Sequence, residues 1–150
     1  MEYELMRKDS FHVFGIRRKT LNAGGSWDLV KTDGGMEQMQ EIAGHEAVSL
    51  GLCFGFDDEG NNDYLCGFEY PAEEIPGFDH YTCPESAWLV FNVRGSIVDG
   101  LLSRTWKRIH DVILPQSEYR QRDLPTIERY LEWNEKADRC HVQIMIPIEQ

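Results

Sequence analysis

Several segments of this chain have the features of β-strands, either alternating apolar and polar residues or a composition rich in apolar and β-branched residues. The order in which these segments follow one another limits the possible folds. A strand, a helix and two further strands can be assigned between residues 3 and 71, and the same order returns between residues 86 and 148. The two halves share almost no residue-level identity, so what repeats is the element order. We therefore predict an α+β fold in which duplicated β-α-β-β units form an antiparallel sheet with two main helices. The predicted strands are FHVFGIRRKT from Phe11, EAVSLGLCFGF, DYLCGFEY, AWLVFNVRG, TIERYLEW and CHVQIMIPI.

Two segments have helical spacing. Residues 27–43 carry apolar residues on one face, but Gly34 and Gly35 interrupt them, which predicts a broken or late-starting helix. Residues 98–113 carry an apolar stripe at steps of three and four, which predicts an amphipathic helix that ends at Pro115. The stripe consists of Val98, Leu102, Trp106, Ile109 and Ile113.

Bulky and small side chains alternate in the strand at residues 47–56. One face is predicted to be core and the other leaves space above the sheet, where a ligand can lie. The loop DDEGNND after it predicts a hairpin, and it lacks the Gly and Glu that a calcium loop needs at its sixth and twelfth positions. The bulky face comprises Val48, Leu50, Leu52, Phe54 and Phe56, and the bare face comprises Ala47, Ser49, Gly51, Cys53 and Gly55.

Alternation in TIERYLEW places Glu128 on a face away from the main hydrophobic layer. A partly shielded carboxylate beside open space can neutralise a cationic ligand while aromatic rings stack on it. The alternative is that Glu128 is an ordinary strand glutamate whose carboxylate lies in solvent. The predicted core face comprises Ile127, Leu131 and Trp133, and the other face comprises Thr126, Glu128, Tyr130 and Glu132.

Several aromatic residues are candidate walls for such a pocket. In a small domain aromatic side chains usually belong to the core, and this alternative is strongest for Trp106 because it lies on the helical stripe. The candidates are Tyr70, Trp88 and Tyr130, followed by Trp27, Phe68 and Trp106.

Bulk properties exclude several classes of protein. The length of 150 residues fits a single domain, and the net charge of -11 with a pI of about 4.8 opposes direct nucleic-acid binding. No apolar run is long enough for a signal peptide or a membrane span, so we expect a cytoplasmic protein that binds no membrane. The cysteines form no C-x-x-C pair, as expected of thiols in a reducing compartment.

Motifs for catalysis or cofactor binding are missing from the sequence. The histidines show no metal-ligand spacing, and neither G-x-S-x-G nor a phosphate-binding glycine loop is present. We therefore expect no metal and no cofactor. Glu128 is the one good candidate for an acid or base, since a shielded carboxylate can orient a water molecule.

The motifs WLVFNVRG from residue 88, ILPQSEYRQRDLPTIERY from 113 to 130 and the closing IMIPI together resemble the GyrI-like family. The Gly15 strand, SLGLCFGF and GFEY fit the same family, which includes effector-binding domains of AraC-type and multidrug-responsive transcription activators. The resemblance implies two strand-helix-strand-strand units about a pseudo-twofold axis, with a ligand groove. The pocket glutamate of the family falls on Glu128, and the DNA-binding module of the activators has no room here.

The resemblance implies a stand-alone protein that binds or sequesters hydrophobic, cationic aromatic compounds. A second expectation is a hydrolase that detoxifies cyclopropane-bearing DNA-alkylating compounds, with Glu128 as its catalytic residue. A third is an interaction protein that inhibits a topoisomerase or binds a regulator, by analogy with the namesake of the family.

Overall fold

A computed structural model describes residues 2–150 as an α+β protein. The chain divides into two compact units, one spanning Asp9–Glu85 and the other combining the N-terminal strand with Ser86–Gln150. We call them the 9–85 unit and the 86–150 unit. The strands are β1 Glu4–Lys8, β2 Phe11–Thr20, β3 Ser49–Phe56, β4 Asn62–Glu69, β5 Asp79–Cys83, β6 Ser86–Gly95, β7 Thr126–Asn134 and β8 Arg139–Ile148. The α-helices are α1 Ala23–Thr32, α2 Gly35–Ala43, α3 Leu101–Arg108 and α4 Leu114–Gln116.

The two units share one strand order, and their pairs are antiparallel. The 9–85 unit has the order β3-β4-β2-β5, and the 86–150 unit has the order β7-β8-β6-β1. Each unit runs strand, helix, strand, strand along the chain, as predicted. The strands β1 and β5, which are short and rich in charged or polar residues, were not predicted. The pairing of β1 with β6 places residues 4–8 in the 86–150 unit.

The predicted break in the first helical segment is confirmed. A two-residue link separates α1 from α2, and its Gly34 has a φ of 84°, a conformation that glycine adopts without steric cost. The first helix begins earlier than predicted, because the Asn22 side chain accepts a hydrogen bond from Gly25 N at 2.8 Å and caps it. Val30 of α1 and Met39 of α2 are buried and mark the inward face of each helix.

The hairpin predicted from the loop after β3 is also confirmed, with β3 paired to β4. Asp57 accepts a hydrogen bond from Asn61 N at 2.8 Å within the loop, as in a polar turn. The pairing shifts between Cys53 and Gly55, which is a β-bulge. The prediction that Phe56 belongs to the core is wrong, since this residue is 65% exposed beyond the bulge.

The core of the 86–150 unit lies between its sheet and α3. Leu89, Phe91 and Val93 share a face and are buried, as predicted. The opposite face of β6 is also buried, since Trp88 and Val90 are nearly inaccessible to solvent. The sheet of this unit is therefore apolar on both faces at β6. The core cluster under α3 comprises Ala87, Leu89, Phe91, Val93, Ile109, Ile144, Ile146 and Ile148.

The second helical segment begins later than predicted, at Leu101 instead of Val98. Val98 was expected on the apolar stripe, but it is 81% exposed, because residues 96–100 form a loop before α3. The Asp138 carboxylate holds this loop by accepting hydrogen bonds from the Ser96 hydroxyl and from Val98 N, the latter at 2.9 Å. Hydrogen bonding to Ser96 is the main cause that lowers the pKa of Asp138.

The same segment changes its helical form after α3. Ile109–Ile113 is π-helical, with Leu114 N bonded to the Ile109 carbonyl five residues back. The α-helical turn α4 follows and contains Pro115 in its first turn, where a missing N–H costs little. The helix therefore ends at Gln116 and not at Pro115.

Candidate functional site

Glu128 lies on the helix-covered face of the sheet in the 86–150 unit. The strands β7, β8 and β6 pair so that Glu128 stands opposite Ile144, which in turn stands opposite Phe91. Directly paired residues of antiparallel strands share a face, and Ile144 and Phe91 belong to the core cluster under α3. The prediction that Glu128 points away from the hydrophobic layer is therefore wrong. Alternation could not identify the core face, because Ile127 on the other face is buried as well.

Both carboxylate oxygens of Glu128 accept hydrogen bonds from aromatic side chains. Trp106 Nε1–H donates to Oε2 at 3.1 Å, and the Tyr130 hydroxyl donates to Oε1 at 3.1 Å. Glu128 is only 5% exposed, and burying a carboxylate is costly unless its oxygens are hydrogen-bonded. Indole and phenol are neutral donors, and each gives one carboxylate oxygen a hydrogen bond. The structure thus brings three of the predicted site residues together.

His110 extends this cluster along the helix. Its ring stacks on Trp106 with the centroids 4.4 Å apart and the planes inclined by 11°. Its Nδ1 lies 3.0 Å from the Trp106 carbonyl oxygen, so Nδ1 is the donor in this contact. Residues four apart are neighbours on a helix, and π-helical segments such as the one containing His110 are frequent at functional sites. His110 was not among the predicted site residues, although its spacing of four residues from Trp106 is the signal that identifies it.

A β-bulge in β7 changes which residues share the face of Glu128. The pairing with β8 shifts between Tyr130 and Glu132, which makes Leu131 an extra residue. Beyond the bulge the alternation is reversed, so Trp133 joins the Glu128 face and Glu132 leaves it. The prediction that Leu131 and Trp133 are core residues is wrong, since each is 38% exposed. Trp133 therefore lies on the face opposite to the predicted one, beside Tyr130.

Trp88 lies on the opposite face of the same sheet. Its neighbours Leu89 and Ala87 on β6 belong to the core cluster under α3, and adjacent residues of a strand point to opposite faces. The prediction that Trp88 shares a wall with Glu128 is therefore corrected. Trp88 is a fully buried residue of the other face.

The remaining candidates belong to the 9–85 unit. Trp27 Nε1–H donates to the Tyr64 hydroxyl at 3.1 Å, and the two rings meet edge to face at 6.4 Å. Phe68 is buried against Phe14 with the ring centroids 6.2 Å apart. Tyr70 meets the same Phe14 ring edge to face at 5.7 Å. Phe68 is thus a core residue, as is usual for aromatic side chains in a small domain. Trp27 is hydrogen-bonded to Tyr64.

The space predicted above the bare face of β3 is filled at Gly51. A Cβ atom added to Gly51 would lie 1.6 Å from the hydroxyl oxygen of Tyr64, so the tyrosine ring occupies the room that glycine leaves. The prediction of an open ligand space over Gly51 is wrong. The small residue accommodates a neighbouring aromatic side chain of the same unit.

Residues 2–150 offer no cluster of metal ligands, since no group of three or more His, Cys, Asp or Glu side chains in that range is arranged to hold a metal ion. None of the helices described there is long and apolar enough to cross a membrane. All four cysteines are buried, and burial raises the pKa of the Cys140 thiol.

Sequence comparison identifies one family. The model of the GyrI-like small molecule binding domain matches residues 1–149. No curated protein matches the chain at a significant level.

Solved structures with the same fold include SAV2435 bound to tetraphenylphosphonium, which has a TM-score of 0.79 and 21% identity over 99% of this chain and 94% of that chain. A Staphylococcus aureus MU50 protein thought to regulate bacterial transcription has a TM-score of 0.75 and 22% identity over 100% of this chain and 99% of that chain. EcmrR in complex with DNA has a TM-score of 0.75 and 14% identity over 99% of this chain and 57% of that chain. With the family model matching nearly its whole length, the chain belongs to the GyrI-like family of small-molecule-binding domains.

Proposed function

We propose that this protein binds hydrophobic aromatic cations, with Glu128 as the residue that recognises their charge. The observation that carries the proposal is a carboxylate that is only 5% exposed and is held by Trp106 and Tyr130 at 3.1 Å each. A charge fixed in a region of low dielectric attracts a cation more strongly than one in water. The surrounding rings add stacking and cation–π attraction for a flat or aryl-bearing ligand.

The fold relative SAV2435 supports the chemical class of this ligand. Its structure holds tetraphenylphosphonium, a cation whose charge is enclosed by four phenyl groups. Such a ligand has no hydrogen-bond donor, so recognition depends on apolar contact and on the attraction between opposite charges. The cluster of Glu128, Trp106 and Tyr130 offers both.

Substitution of Glu128 by Gln tests the proposal. Gln keeps the size of the side chain and one acceptor oxygen, but it removes the charge. We expect tetraphenylphosphonium to bind the unmodified protein saturably, and Glu128→Gln to bind it about 5- to 100-fold more weakly, equivalent to about 1–3 kcal/mol. Quenching of tryptophan fluorescence in a titration measures both affinities.

Glu132→Gln is the matched control. Glu132 lies on the same strand but on the opposite face, and its half-exposed carboxylate pairs with Arg139 at 3.0 Å. We expect this variant to bind tetraphenylphosphonium as the unmodified protein does. The proposal fails if no saturable binding is observed, or if Glu128→Gln retains full affinity.

The two other functions implied by the family resemblance stay predictions. Mass spectrometry of the ligand recovered after prolonged incubation separates binding from hydrolysis of cyclopropane-bearing compounds, since a hydrolase converts an excess of substrate over protein. Co-purification with a topoisomerase tests the interaction role.

A further inference from the structure

The bulge in β7 has a consequence for the ligand site proposed above. In a regular strand Trp133 would point to the face opposite Glu128, because it lies five positions further along the chain. With the bulge, Glu128, Tyr130 and Trp133 all project from the helix-covered face. The strand thus presents a carboxylate, a phenol and an indole in sequence along one face.

These three side chains form a continuous row. The Tyr130 hydroxyl bonds the buried Glu128 at 3.1 Å, and the ring of Tyr130 meets the ring of Trp133 edge to face, with centroids 5.6 Å apart and an interplanar angle of 82°. Exposure rises along the row, from 5% at Glu128 to 38% at Trp133. The row therefore leads from the buried charge to solvent.

We propose that Trp133, supported by the ring of Tyr130, is an outer aromatic subsite that selects long, flat cations. This inference rests on the proposed function, since it takes Glu128 as the site of the positive charge. Because of the bulge, the partners of Glu128 and Trp133 on β8 are Ile144 and Cys140, so at the usual rise per strand residue the two side chains are about 13 Å apart along β7. A ligand whose charge lies at Glu128 reaches the indole only if its aromatic system extends that far.

The chemistry of the two ends fits one kind of ligand. A tryptophan face is the best aromatic partner for an electron-poor ring, and an exposed tryptophan loses apolar hydration when a flat ring covers it. Compact aryl cations such as tetraphenylphosphonium fill the end at Glu128 alone. Thioflavin T is a long, flat monocation and is therefore a suitable probe for the whole row.

Trp133→Leu tests the subsite through ligand selectivity. We expect about a tenfold loss of affinity for thioflavin T, while tetraphenylphosphonium binds within about twofold of its affinity for the unmodified protein. Trp133→Phe keeps an aromatic face and should restore most of the affinity for thioflavin T. Leu131→Ala is the matched control, since Leu131 is an apolar residue of equal exposure on the same bulge.

The pattern of results separates this inference from the proposed function. A loss of both ligands in Glu128→Gln, together with unchanged thioflavin T binding in Trp133→Leu, overturns the subsite alone. Equal weakening of both ligands in Trp133→Leu also overturns it, because a structural defect does not discriminate between ligands of different length. If neither cation binds the unmodified protein, the proposed function and the subsite fall together.

Discussion

At the scale of single residues, Gly51 shows how an absent side chain determines the packing around it. The ring of Tyr64 lies over this glycine, and an added Cβ would be 1.6 Å from its hydroxyl oxygen and 2.3 Å from the ring carbon that bears it. Tyr64 also accepts a hydrogen bond from Trp27 at 3.1 Å, so its ring cannot move without breaking that contact. The glycine is therefore a packing requirement of the 9–85 unit.

Gly51→Ala should destabilise the protein by about 1–3 kcal/mol, the usual cost of overpacking a core. The midpoint of urea denaturation measures the change. Gly25→Ala is the control, because a Cβ at Gly25 meets its nearest atom at an ordinary 3.6 Å and alanine favours the helix. Equal stability of the two variants would show that Tyr64 moves aside at no cost.

At the scale of elements, the sequence was most informative where alternation was regular and uninterrupted. The strand at Phe11–Thr20 has the predicted bounds, and the break in the first helical segment occurs at the predicted glycines. The short strands β1 and β5 were not predicted, because five residues with few apolar positions carry little periodic signal.

The candidate site was harder to predict than the fold. Glu128 was identified as a candidate, but its face was misassigned because both faces of β7 are buried near Ile127. Trp133 was assigned to the core because one bulge residue reverses every later position of a strand. No residue type in TIERYLEW marks that bulge, so pattern alone could not reveal it. The stacking of His110 on Trp106, in contrast, follows from their spacing of four residues on one helix, a signal that the sequence does contain.

At the scale of the whole molecule, stability should depend on pH through His141. Burial is the main cause that lowers the pKa of His141 below its ordinary value of 6.5, and the charge of Arg94 acts in the same direction. The unfolded chain therefore binds this proton more readily than the folded protein. Stability should fall as the pH drops through 6.5, and the loss should stop once the pH is below the folded pKa.

Urea denaturation at several values between pH 7.5 and pH 5 measures this dependence, with His141→Gln as the comparison. Gln can still donate to Asn92, the partner of His141 at 2.8 Å, but it does not titrate. The variant should show a flatter profile in this range. A profile as steep as that of the unmodified protein would assign the effect to other groups.

The central claim is that a buried carboxylate makes this member of the family select cations. Calorimetric titration with tetraphenylphosphonium and with tetraphenylborate tests it most directly, since both ions carry four phenyl groups around a single charged atom and differ in the sign of that charge. We expect saturable binding of the phosphonium and affinity at least about tenfold lower for the borate. Equal affinity for the two ions would contradict the claim, because recognition would then depend on apolar contact alone.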